Sequence, residues 1–105
     1  IDFALITANG DNAMGYVTCR EYDAESLYWA YGGAFPGTRG THMSWRGYQA
    51  QVYWCRDVGK YKRISTLIEN QNIPMLKMAM QVGFRIIGTR TFDGKVYLEH
   101  LMEFL

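Results

Sequence analysis

The chain has 105 residues, nearly half of them apolar, and 11 Lys and Arg against 10 Asp and Glu leave a net charge of +1. That is one small domain, residues 1–105, able to bury roughly two thirds of its unfolded surface, and three Trp, eight Tyr and five Phe exclude a disordered segment. No apolar run approaches the roughly 20 residues of a membrane span and no signal peptide opens the chain, so a cytoplasmic protein without a membrane partner is expected. The chain starts at Ile1, and a further segment before it is an expectation too.

Phe3 to Thr7 and Gly15 to Tyr22 read as strands around Asn9-Gly10-Asp11-Asn12, a polar turn that tolerates left-handed backbone, so the pair is predicted to form a hairpin. Asp23-Ala24-Glu25 then turns the chain into Leu27 to Tyr31, a β-rich run ending in Gly32-Gly33. Paired glycines in a strand point to a bulge or to close approach of a ligand. Pro36-Gly37-Thr38-Arg39-Gly40-Thr41-His42 follows as a turn. From Met43 to about Asp57 the spacing becomes helical, with Trp45, Tyr48, Val52 and Cys55 on one face and Val58-Gly59 as a stop.

Strand character resumes from Tyr61 to Ile68, which makes the crossover a βαβ unit. Asn72 is the expected N-cap of a short helix with Pro74 in its first turn, with Leu76, Ala79 and Met80 on its packed face and Gly83 at its end. Phe84 to Phe92 and Lys95 to Phe104 flank Asp93-Gly94, the strongest two-residue hairpin signal in the sequence. The class is therefore α+β, a mixed sheet in the order β-β-β-α-β-α-β-β.

Charge is uneven along this series. Residues 39 to 90 carry nine Lys and Arg against Asp57 and Glu69, an excess of seven, which suits a polyphosphate ligand or a nucleic acid. A turn at a helix start presents backbone amides without intrahelical partners, and such amides hold a pyrophosphate without a metal. Cys19 and Cys55 lack CxxC spacing or a His cluster, so both are expected as free buried thiols and no metal site is expected. The aromatic residues and the six Met are read as packing, which makes a nucleic-acid partner unlikely.

Two motifs carry a resemblance. Pro36 precedes Arg39-Gly40 by three positions at the start of the long helix, and Asn72 precedes Gly83-Phe84 by eleven. In register with the element order, these resemble the Gcn5-related N-acetyltransferase (GNAT) superfamily from its second strand onward, in a form shortened at the N-terminus by a strand and two helices. The resemblance implies an acyl-CoA-binding domain with acetyl-CoA, or another acyl-CoA, as cofactor. It places the pyrophosphate on Arg39, Gly40, Thr41, His42, Met43 and Ser44, and the pantetheine arm along Ala34, Phe35 and Pro36 with Asn72 beside it. His42 stands where the family prefers Gly, and Ser44, small enough, stands where it accepts Gly or Ala.

The implied activity is acyl transfer, acetyl above all, from the thioester to a primary amine of a small molecule or protein. The family's usual acid and base positions hold Ala79 and Tyr28, so Glu69 at the end of its strand becomes the candidate base, with Tyr28, Tyr31 or Ser65 as partners through water; Glu69 and Tyr28 are the two catalytic candidates. A catalytically degenerate binding or assembly module of the same fold is the alternative. A homodimer that completes the acceptor pocket would supply what the shortened N-terminus omits.

Overall fold

The computed structural model describes residues 2–37 and 42–104, and from 42 to 44 the backbone alone. Six strands and two helices follow in order: β1 (Phe3–Asn9), β2 (Asn12–Asp23), β3 (Ser26–Ala34), α1 (His42–Tyr53), β4 (Arg63–Glu69), α2 (Ile73–Val82), β5 (Arg85–Phe92) and β6 (Lys95–Glu103). The sheet runs β1-β2-β3-β4-β6-β5. β3 and β4 pair in parallel and the other four neighbouring pairs are antiparallel. The predicted class, element order and βαβ crossover are all present.

Local chemistry fixes the junctions. Gly10 takes a left-handed φ of 63° in the first hairpin, and Asp93 and Gly94 take 50° and 75° in the last, as the right-handed twist of paired strands requires of a two-residue turn. Asn72 caps α2 by accepting from the Met75 amide at 3.4 Å, with Pro74 in the first turn where its missing N–H leaves nothing unsatisfied. At the other end Gly83, at φ 115°, turns the chain into β5.

The α1 helix widens at its end into one π-helical stretch, Trp54–Val58, closed by the Gly59 amide on the Trp54 carbonyl at 2.7 Å. The wider turn keeps Cys55 fully buried while Arg56 and Asp57 pair outside at 2.8 Å. A side chain on Gly59 would meet the Tyr61 ring at 2.9 Å, so the tight exit toward β4 depends on glycine.

Both helices lie on one face of the sheet. Tyr48 and Val52 of α1, Cys55 of the π-helical stretch and Ala79 of α2 join Val17, Leu27, Trp29, Ile64, Ile68 and Phe84 in a single core, each large apolar side chain contributing about 1.5–3 kcal/mol on burial. The expected packed face of α2 needs one correction. Ala79 is 3% exposed, but Met80 is 63% exposed and points away from the sheet, because one residue further round a helix is about 100° off the buried stripe. Cys19 and Cys55 are buried free thiols, as expected.

Candidate active site

The site begins where two strands part. β3 and β4 pair from Ser26 and Arg63 as far as Trp29 and Thr66, and there the ladder ends although β3 continues to Ala34 and β4 to Glu69. The cause lies on the other edge of β3. Thr18 opposes Tyr31 while the next residue, Cys19, opposes Trp29, so Ala30 is an extra residue that bends β3 away from β4. The Thr18 hydroxyl holds this bulge, accepting from the Tyr31 amide at 3.0 Å and donating to the Tyr31 carbonyl at 3.3 Å. At the apex of the fork, Thr66 Oγ1 donates to the Trp29 carbonyl at 2.9 Å.

At the glycine pair it is a neighbouring strand that approaches closely, and the bulge lies elsewhere. A Cβ on Gly15 would lie 2.8 Å from the Gly33 carbonyl oxygen, and one on Gly32 would lie 3.1 Å from that of Tyr16. Glycine here lets β2 close against β3. The bend itself sits two residues earlier, at Ala30.

Beyond the apex the strands enclose a cleft of about 190 Å³ under the helices, with Trp29, Tyr31 and Gly32 on one wall, Leu67 and Glu69 on the other, and Tyr48 and Ala79 above. Its walls are mainly apolar, and a diverging strand edge suits an extended amide chain, which pairs with such an edge as an added strand does. Those residues fit the pantetheine arm of an acyl-CoA. The α1 helix starts at His42, with Met43 and Ser44 in its first turn, where backbone amides have no partner within the helix.

The remaining predicted residues fall as follows. Asn72 lines the cleft while its side chain caps α2 and its amide donates to the Glu69 carbonyl at 3.0 Å. Ala34 ends β3 opposite Gly15, and the Phe35 amide donates to the Met14 carbonyl at 2.9 Å, toward β2 and away from the cleft. Phe35 is thus committed elsewhere through its N–H. Pro36 and Gly37 form a turn in which Gly37 has φ 96°. Arg39, Gly40 and Thr41 lie outside the described residues. Ala79 lines the cleft at the place where the resemblance puts a phenolic acid.

Glu69 and Tyr28 are not brought together. Tyr28 pairs with Ser65, four residues before Glu69 and about 13 Å away along β4. Tyr28 belongs to the opposite face of the sheet from the helices, where it lines a second concavity of about 270 Å³ with Tyr22, Ser65, Leu67, Arg90 and Glu99. Burial, and then the neighbouring Tyr22, push the Tyr28 phenol above its ordinary value. At neutral pH it therefore carries its proton.

Glu99 and Arg90 escaped the reading of the sequence. Glu99 opposes Leu67 in the β4–β6 ladder, and Arg90 reaches it from β5, with Nη2 and Oε2 3.5 Å apart. The alternation of β6 and the Asp93-Gly94 turn contained the signal. Counting outward from that turn puts both residues on one face. The helix-side cleft and the open-face recess share Thr66 and Leu67, so they meet at the fork from opposite sides of the sheet.

No family model matches the sequence, and no curated protein matches it. Solved structures do resemble the fold. A chimera of the spermidine N-acetyltransferase from Vibrio cholerae and hSSAT superposes with a TM-score of 0.80 at 11% identity over 95% of this chain and 65% of that one. A Bacillus subtilis acetyltransferase in complex with CoA gives 0.78 at 12% identity over 97% and 76%. A GNAT-family acetyltransferase from Elizabethkingia anophelis with acetyl-CoA bound gives 0.77 at 12% over 96% and 75%. The chain therefore has the fold of the GNAT acetyltransferases, as the resemblance implied, and spans 65% of the first of these structures.

Proposed function

We propose that this chain is the acyl-CoA-binding and catalytic part of an N-acyltransferase of the GNAT superfamily, transferring an acyl group, acetyl above all, from its CoA thioester to a primary amine. The observation that carries this reading is the pair of concavities that meet at Thr66 and Leu67. A two-substrate transfer needs a donor and an acceptor to approach one point without obstructing each other, and pre-positioning of that kind supplies much of the rate.

The thioester arm occupies the helix-side cleft along β3, with Asn72 beside it and the diphosphate on the residues from Arg39 to Ser44. The amine enters from the open face beside Tyr28. As the C–N bond forms the C–S bond breaks, and the sulfur takes up a proton. Glu99 lies on the acceptor's side of the fork and is the carboxylate best placed to receive the proton shed by the amine, a role in which Glu69 is set further along β4. The setting is a cytoplasmic one, where acyl-CoA is formed and consumed.

Acetyl-CoA binding tests this directly. At 100 times its dissociation constant the ligand adds about 2.7 kcal/mol to folding stability, a shift visible in thermal unfolding. Arg39→Ala is expected to weaken binding at least tenfold. A chain that ignores millimolar acetyl-CoA would leave the degenerate binding module as the better reading.

A further inference from the structure

Besides the buried His100, the described lining of the open-face recess holds one cation and one anion, side by side, and that pairing specifies more than an amine. Arg90 and Glu99 stand 3.5 Å apart, a loose separation for a charge-assisted pair, with side chains 60% and 30% exposed. Gly88 lies opposite Glu99 in the β5–β6 ladder. Beside the pair, the Tyr22 and Tyr28 rings lie 5.7 Å apart at 32° and form an aromatic wall facing Ser65. A polycation finds a single carboxylate in this recess and a guanidinium that repels it. A molecule with an ammonium and a carboxylate on one carbon matches both charges at once, the ammonium on Glu99 and the carboxylate on Arg90.

We infer that the recess selects an α-amino acid with an apolar or aromatic side chain as acceptor, an inference that rests on the acyltransferase reading of the same site. The reaction balances as the ammonium group losing one proton through Glu99 to solvent, its nitrogen forming a bond to the acyl carbon, and the C–S bond breaking. The second nitrogen proton is lost as the thiolate becomes the free thiol, and the products are an N-acyl amino acid and CoA.

The test compares each amino acid with its decarboxylated counterpart, phenylalanine with phenethylamine and leucine with isopentylamine, and sets spermidine beside them. Acetyl-CoA affinity is measured first by calorimetry, so that a failed donor site is recognised separately from a wrong acceptor. Thiol release then reports turnover, and saturation-transfer NMR reports acceptor binding whether or not turnover occurs. The amino acid is expected to exceed its amine at least tenfold in kcat/KM and in binding, because the amine leaves Arg90 without its carboxylate. Arg90→Met is expected to bring that ratio to about one through KM, with acetyl-CoA affinity unchanged. Equal use of acid and amine, preference for spermidine, absence of amino-acid binding, or an undiminished preference in Arg90→Met would each overturn the inference.

Discussion

Thr66→Val is the sharpest probe of the fork. Valine keeps the shape and the β-branching that suit a strand, so the change removes a hydroxyl and little else. The lost donor is the one that meets the Trp29 carbonyl at 2.9 Å, in a part-buried position at the last paired residues of β3 and β4. A hydrogen bond of this kind contributes about 0.5–1.5 kcal/mol, and leaving the carbonyl buried without a side-chain partner raises the cost toward about 1–3 kcal/mol. The cleft beside it admits water in part, which places the expected loss at about 1–2 kcal/mol. For a domain of this size that is a fall in Tm of about 5–10 °C. The same bond fixes the opening of the two strands, so acetyl-CoA affinity should fall in step, about fivefold for each kcal/mol of lost preorganisation. Urea titration gives the first quantity and calorimetry the second. A valine variant as stable as the parent, binding as tightly, would show that the apex is held by the ladder alone.

Further outcomes follow from other parts of the molecule. Ala79→Tyr places a phenol in the cleft beside the leaving sulfur and should raise turnover, a positioned acid being worth about 10²-fold or more, at about 1–3 kcal/mol of stability for overfilling a site whose alanine is only 3% exposed; unchanged turnover in a folded variant would place the sulfur elsewhere. Gly83→Ala forces a Cβ into φ 115° and should cost at least about 1 kcal/mol in urea unfolding. Burial pushes the Cys19 thiol up to about 12, assisted by Cys55, and Cys55 up to about 11, from an ordinary value of 9.0. Their raised folded values mean that this stability is fully present below pH 9 and is lost as pH rises toward 11–12, at up to about 1.4 kcal/mol per pH unit for each thiol. Cys55→Ala should flatten the decline between pH 9 and 11, and a parent whose stability is level over that range would contradict the assignment.

Much of the candidate site was legible because its signals are local. The N-cap at Asn72, the left-handed Gly83 and the Asp93-Gly94 turn each express a conformational preference of one or two residues, and each stands where the pattern placed it. The bulge at Ala30 was not legible, since it exists only in the register between β2 and β3, and the two glycines beside it drew the expected bend two residues too far. Tyr28 and Glu69 were both named as catalytic candidates, but Tyr28 pairs with Ser65, so about 13 Å of β4 separates the two, a distance set by strand register and not by the neighbours of either residue. Met80 was placed inward by a spacing that does not say which neighbouring stripe meets the sheet.

By itself the sequence determined the elements, their order and the turns between them, because hydrophobic period and turn chemistry act within a few residues of the chain. Tertiary structure alone decided where β3 and β4 separate, that Glu99 and Arg90 share a recess with Tyr28, and that this recess backs onto the cleft at Thr66 and Leu67. Those relations depend on strand register and on which face the helices cover. Both are set by the packing of residues far apart in the chain, where no local preference reaches.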